Sequence, residues 1–153
     1  MSNELQQAHL TIRASVTDDR HVRLFARAHK VELGPGWSFD IAEPSATGAE
    51  TLLGVLASDV MCVFARLAKQ KRVIVDEMEA TVSADLLDPL VHLGVIGASG
   101  EPRYENFVLR AYVGTSAAES TVRALWDESL ARAPLYNTLR HAAQVRAELI
   151  LTH

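Results

Sequence analysis

The chain has 153 residues, of which 48% are hydrophobic and 22% charged, and its formal net charge is −4. This composition is typical of a globular protein, and the acidic balance argues against nucleic acid or an anionic membrane as a partner. Cys62 is the only cysteine, which excludes two-cysteine redox chemistry within one chain and a cysteine-based zinc site. From the length we expect one domain over residues 1–153. We expect it in the cytoplasm, because the chain has one cysteine and its first residues lack a signal-peptide pattern. We expect no metal and no cofactor.

The first third of the chain has the period-2 alternation of half-buried strands. Apolar and polar residues alternate over residues 10–16 and 22–27, on either side of a turn signal at Asp18 and Asp19. A third short strand follows through Val31 and Leu33 and ends at the sequence Gly-Pro-Gly. We therefore predict three strands in this segment.

The period then changes to that of a helix. Thr47 and Glu50 have the spacing of a capping box, which predicts the start of the helix. The apolar positions that follow recur at 3.6 residues per turn: Leu52, Leu53, Leu56, Val60, Val63, Phe64 and Leu67. Asp59 and Arg66 interrupt this apolar stretch, so we expect a core helix and not a membrane span.

The second half of the chain predicts more strands and a further capped helix. Strands are expected over residues 74–84, 104–113 and 145–151. The first two are separated by an irregular segment over residues 85–102, whose apolar residues are expected to form a short helix or an interface flap. Ser116 and Glu119 have the spacing of a second capping box, and Pro134 ends that helix or opens another turn. Because strands and helices are segregated along the chain, we predict an α+β fold with antiparallel sheets packed on helices.

This order of elements, with two particular stretches, resembles the osmotically inducible protein C and organic hydroperoxide resistance (OsmC/Ohr) family. Residues 50–59 (ETLLGVLASD) look like the family's central-helix motif, in which a Glu precedes the cysteine that attacks peroxide. Residues 133–140 (APLYNTLR) look like the motif that begins Cys-Pro with the resolving cysteine. The resemblance extends from about residue 8 to residue 152.

What the resemblance implies depends on how this chain departs from it. Asp59 stands at the position of the attacking cysteine, Ala133 at that of the resolving cysteine, and Ala49 where the family has a proline. Arg20 is the nearest match to the family's N-terminal catalytic arginine. Membership would further imply an intertwined homodimer, with two central helices buried and a pocket at the subunit interface.

Three functions remain open at this stage. The leading hypothesis is a protein that has lost peroxidase activity and keeps the interfacial pocket for a small hydrophobic molecule. The second is an enzyme, either a one-cysteine hydroperoxide reductase using Cys62 or a hydrolase-type enzyme using Asp59. The third is a structural or interaction dimer.

The candidate site residues each have a structural alternative. We expect Cys62 to be inert core or flank, although it lies on a stripe of the helix next to Asp59, with Arg66 one turn further on. Asp59 is either a paired flank residue or a pocket carboxylate beside Arg20 or Glu50. The capping box by itself accounts for Glu50, whose catalytic role in the family requires the missing cysteine.

Overall fold

The computed structural model describes residues 8–17, 20–40 and 42–152, so the turn predicted at Asp18 and Asp19 lies outside the described residues. The chain divides into two compact units, Met1–Thr51 and Leu52–His153. The prediction of a single domain over residues 1–153 stays a prediction.

The first unit contains a three-stranded antiparallel sheet in the order β1-β2-β3. Its strands are β1 (Arg13–Val16), β2 (Val22–Ala26) and β3 (His29–Leu33). The three predicted strands are therefore confirmed, but the first is shorter than the alternation indicated because residues 10–12 precede it.

The alternation gives this sheet one apolar and one polar face. On the apolar face Val22 pairs with both Val16 and Leu33, and Leu24 pairs with Val31. Leu33 is buried at 9% exposure, whereas Val16 is 73% and Val31 is 49% exposed. Much of the apolar face is therefore open to solvent in the single chain.

The long predicted helix is α1 (Gly48–Gln70), and the capping box at its start is confirmed. Thr47 Oγ1 accepts the Glu50 N–H at 3.2 Å, and Glu50 Oε2 accepts the Thr47 N–H at 2.8 Å. The buried stripe of α1 joins residues of β5 and α3 in one core; its members are Leu56, Val60, Val63, Phe64, Leu67 and Ala68. Among the described residues, α1 is the one helix long and apolar enough to span a membrane, and its packed inner stripe is that of a core helix.

The second unit is built on β4 (Glu77–Leu87), β5 (Arg103–Gly114) and β6 (Val145–Thr152), in that order across the sheet. β4 and β5 are antiparallel, but β5 and β6 run parallel. The prediction of antiparallel sheets is confirmed for the pairs β1–β2, β2–β3 and β4–β5. It is wrong for β6, because the two helices between β5 and β6 make a crossover that returns the chain in the same direction. The irregular segment begins later than predicted, since β4 extends to Leu87, and the short helix expected within it is α2 (Pro89–His92).

The pairing of β4 with β5 has a β-bulge at Asn106, next to the point where β6 begins to pair with β5. Asn106 has a φ of 55°, and the β4–β5 register shifts between Ser83 and Asp85 on the opposite strand. The side-chain amide of Asn106 donates to Asp85 Oδ2 at 2.9 Å. The next N–H, that of Phe107, donates to the Gln144 carbonyl at 2.9 Å, immediately before β6 begins.

Two helices connect β5 to β6: α3 (Glu119–Arg132) and α4 (Pro134–Ala142). The capping box predicted at Ser116 and Glu119 is wrong, since α3 begins at Glu119 and its N-cap is Ala118. The hydroxyl of Thr115 instead accepts the Ala117 N–H at 3.0 Å and organises the turn before the helix. Pro134, which the sequence left as an end or a start, occupies the first turn of α4.

Candidate functional site

Asp59, the last residue of the first motif, bonds to the segment of the second motif within the second unit. Asp59 lies half-buried on α1, and its Oδ2 accepts the backbone N–H of Tyr136 at 3.0 Å. Tyr136 is the third residue of α4, and it follows Ala133 by three positions. The side chain at one predicted cysteine position therefore bonds to the helix that starts at the other.

The start of α4 has a specific need for this carboxylate. The first N–H groups of a helix lack partners within the helix, and the N-cap of α4, Ala133, has no side chain that can accept one. Pro134 has no N–H to satisfy, which leaves those of Leu135 and Tyr136. Asp59 supplies the acceptor from another helix, and its negative charge is favourable at a helix N-terminus.

The junction between α3 and α4 is fixed on both sides. Ala133 is fully buried at 0% exposure, so the predicted resolving position lies inside the core. The side-chain amide of Asn137 donates to the carbonyls of Leu130 and Ala131 at 3.3 and 3.1 Å, and so caps the end of α3. The junction is held by side chains that carry no redox chemistry.

Cys62 lies on the exposed face of α1 and not in the core. Of the two expected locations, core and flank, Cys62 occupies the flank, because the buried stripe of α1 passes through its neighbours Val60, Val63 and Phe64. Its inertness stays a prediction. The Cys62 Sγ lies 3.8 Å from the Ser58 hydroxyl one turn earlier. Arg66, one turn later, is exposed as well.

Glu50 lies in the first unit, and its carboxylate accepts the Thr47 N–H in the capping box. The backbone N–H of Thr47, followed by its side chain, holds the pKa of Glu50 below its ordinary value. Glu50 also lines a mostly polar cavity of about 240 Å³ together with Trp37, Asp40 and Glu43. A catalytic role for Glu50 stays a prediction.

Arg20 belongs to the first unit, whereas Asp59 and Cys62 belong to the second. It is exposed and has a φ of 65°, and its N–H donates to the Thr17 carbonyl at 3.0 Å. Its approach to Asp59 stays a prediction, as does the apolar pocket beside Asp59.

Sequence reasoning missed the partner of Asp59, which is a backbone group 77 residues away in the chain. A signal for it was present in the sequence. A helix that begins Ala-Pro has no capping side chain of its own, so its N–H groups require an acceptor from elsewhere.

Comparison with known proteins gives matches in three dimensions only. No protein-family model matches the sequence, and no curated protein sequence matches it. An OsmC-like protein from Mycoplasma pneumoniae superimposes with a TM-score of 0.80 at 15% identity, covering 97% of this chain and 100% of that one.

Two proteins described as organic hydroperoxide resistance proteins are similar as well. The structure from Elizabethkingia anophelis has a TM-score of 0.70 at 12% identity and covers 96% of this chain and 100% of its own. The structure from Legionella pneumophila has a TM-score of 0.65 at 11% identity, with coverage of 94% and 99%. The resemblance predicted from the sequence is thereby confirmed in three dimensions: the chain has the OsmC/Ohr fold.

Proposed function

We propose that this chain is a divergent OsmC/Ohr-type protein that has lost two-cysteine peroxidase activity and keeps an interfacial pocket for a small hydrophobic molecule. The observation that carries the proposal is the bond from the Tyr136 N–H to Asp59. It joins the two segments in which a peroxidase of this fold would need its thiols. In this chain those segments carry the carboxylate of Asp59 and the buried methyl group of Ala133.

The chemistry of the cycle explains why these residues matter. A thiolate attacks one peroxide oxygen, the O–O bond breaks with release of the alcohol, and the thiolate becomes a sulfenic acid. A second thiol then converts the sulfenic acid to a disulfide with release of water. A carboxylate is not oxidised in this way, and the methyl group of Ala133 cannot resolve a sulfenic acid. At these two positions the chain can perform neither step.

A homodimer would cover the apolar surfaces that the single chain leaves open. Val16 and Val31 on the first sheet are 73% and 49% exposed, and Val55 on the outer face of α1 is 47% exposed. Exposed apolar residues on each of the two units are candidate interaction surfaces, and a second copy of the same chain is the partner that the fold suggests. Sedimentation velocity tests this directly, with a dimer as the expected species and a monomer at all concentrations as the contradicting one.

The loss of activity is tested by consumption of cumene hydroperoxide in the presence of a dithiol reductant. The native protein and Cys62→Ser should both consume peroxide no faster than the reductant alone. Turnover by the native protein that disappears in Cys62→Ser would contradict the proposal and identify Cys62 as the reactive thiol.

The ligand part of the proposal is tested separately with the fluorescent probe 1-anilinonaphthalene-8-sulfonate. A saturable site with one probe molecule per subunit is expected for the folded dimer. Without saturable binding, the hydrophobic-ligand function would be wrong and a structural or interaction dimer would remain.

A one-cysteine hydroperoxide reductase is the second candidate, because Cys62 is exposed and within reach of an external thiol. A hydrolase-type use of Asp59 has less support, because one carboxylate oxygen already accepts the Tyr136 N–H. The cytoplasm remains the proposed location, on the basis of the single cysteine.

A further inference from the structure

A cavity of about 300 Å³ opens at the bulged end of the second sheet. It draws on all three strands of that sheet and on the residue before β6; its lining residues are Asp85, Asn106, Phe107, Val108, Gln144 and Arg146. This volume is at the lower end of the range for small-molecule sites.

The cavity carries opposite charges on opposite walls. Asp85 stands on β4 and Arg146 on β6, with β5 between them. Two strand spacings separate these walls by roughly 10 Å. The side-chain amides of Asn106 and Gln144 provide neutral donors and acceptors between the two charges.

Both charged groups have bonding capacity left. Asp85 uses Oδ2 to accept the Asn106 amide at 2.9 Å, so Oδ1 can accept a further donor. Arg146 uses Nε for Glu148 at 2.9 Å, whereas a guanidinium has five N–H donors. Glu148 is also held by Arg110 at 2.7 Å, so a ligand can draw on Arg146 without leaving Glu148 unpaired.

We infer that this cavity binds a small zwitterion of about dipeptide length, with its ammonium group at Asp85 and its carboxylate at Arg146. Two residues of extended chain span roughly 7 Å, and a charge-assisted hydrogen bond of about 2.8 Å at each end lets such a molecule bridge charged groups on strands roughly 10 Å apart. A free α-amino acid carries both charges on one carbon and is too short to reach both walls. This site is independent of the proposed function, because it involves neither Asp59 nor the α3–α4 junction.

The test is a titration of the full chain with glycylglycine, followed by the side-chain amide NMR signals of Asn106 and Gln144. Saturable shifts of these signals are expected. Asp85→Asn and Arg146→Gln should each weaken binding at least tenfold, because each removes one charge–charge contact. Glu79→Gln, on β4 but outside the cavity lining, is the matched control and should bind as the native protein does.

Two blocked peptides distinguish a zwitterion site from adventitious anion or cation binding. N-acetylglycylglycine lacks the ammonium group and glycylglycine amide lacks the carboxylate, so both should bind at least tenfold more weakly. Equal binding of either blocked peptide, or the absence of any saturable shift with glycylglycine, would overturn the inference.

Discussion

The two sheets of this protein share one sequence pattern but have different surroundings. In the sheet β4–β5–β6 the inward residues of β5 are nearly or fully buried: Leu109, Ala111 and Val113 are at 0% exposure beneath α1 and α3. In the sheet β1–β2–β3 the same alternation leaves Val16 and Val31 largely in solvent. The apolar face of the second sheet is thus covered by helices of the same chain. The apolar face of the first sheet is largely exposed, and the proposed dimer would cover it.

The largest loss of stability is expected for a substitution in the core beneath the second sheet. Leu109→Ala should lower the free energy of unfolding by about 3 kcal/mol, because it leaves a cavity in a close-packed core. Val31→Ala should cost much less in the monomer, where the side chain is already half exposed. Urea denaturation of both variants at protein concentrations below the dimer dissociation constant checks this, and equal losses would contradict the difference between the sheets.

Val31→Glu tests whether a second copy covers the first sheet. A charge placed in an apolar interface without a partner should raise the dimer dissociation constant by roughly tenfold or more. Ser15→Glu adds the same charge on the opposite face of the sheet and should leave association unchanged. Sedimentation equilibrium measures both, and a dimer that tolerates Val31→Glu would place the interface elsewhere.

The bond between Asp59 and α4 should have an intermediate effect on stability. Asp59→Ala removes the acceptor for the Tyr136 N–H and should lower the free energy of unfolding by about 1–2 kcal/mol. Asp59→Asn keeps an acceptor oxygen and should lose less, while Ser58→Ala, at an exposed neighbouring position, is the control. An Asp59→Ala protein as stable as the native one would show that the bond contributes nothing.

The smallest expected effect is on the pH dependence of stability, through Glu50 at the start of α1. Because the folded-state pKa of Glu50 is lowered from 4.5, its stabilising contribution is present above that value and is lost as the pH falls through the folded pKa. Glu50→Gln should reduce this loss without abolishing it, since the pKa values of Glu43 and Glu128 are lowered as well. Thermal unfolding of both proteins between neutral and acidic pH measures the difference; identical pH profiles would contradict it.

The features that sequence predicts best here are local ones. The capping box at Thr47 and Glu50 joins residues three positions apart, and the helix and strands follow from their periodicity. The same motif at Ser116 and Glu119 failed because the Thr115 hydroxyl organises the turn, a competition that the spacing alone does not reveal. The buried Ala133 and the partner of Asp59 depend on how α4 packs on α1, which no local pattern specifies.

The predicted direction of β6 was wrong for a related reason. Its alternation predicts a strand equally well in either direction, and only the two-helix crossover makes it parallel to β5. Whether Cys62 lies in the core or on the flank depends on which stripe of α1 faces the sheet, and the sequence left both locations open.

The central claim is that Asp59 and Ala133 occupy the positions of a lost thiol pair, and restoring the thiols tests it most directly. Asp59→Cys and Ala133→Cys would be introduced together into a Cys62→Ser background, with Ala131→Cys replacing Ala133→Cys in the control. Thiol titration after mild oxidation should show a disulfide in the first protein alone. Cumene hydroperoxide consumption with a dithiol reductant, which returns the disulfide to two thiols, should show turnover above the reductant-only blank in that protein alone. Two free thiols and no turnover in a correctly folded protein would contradict the claim.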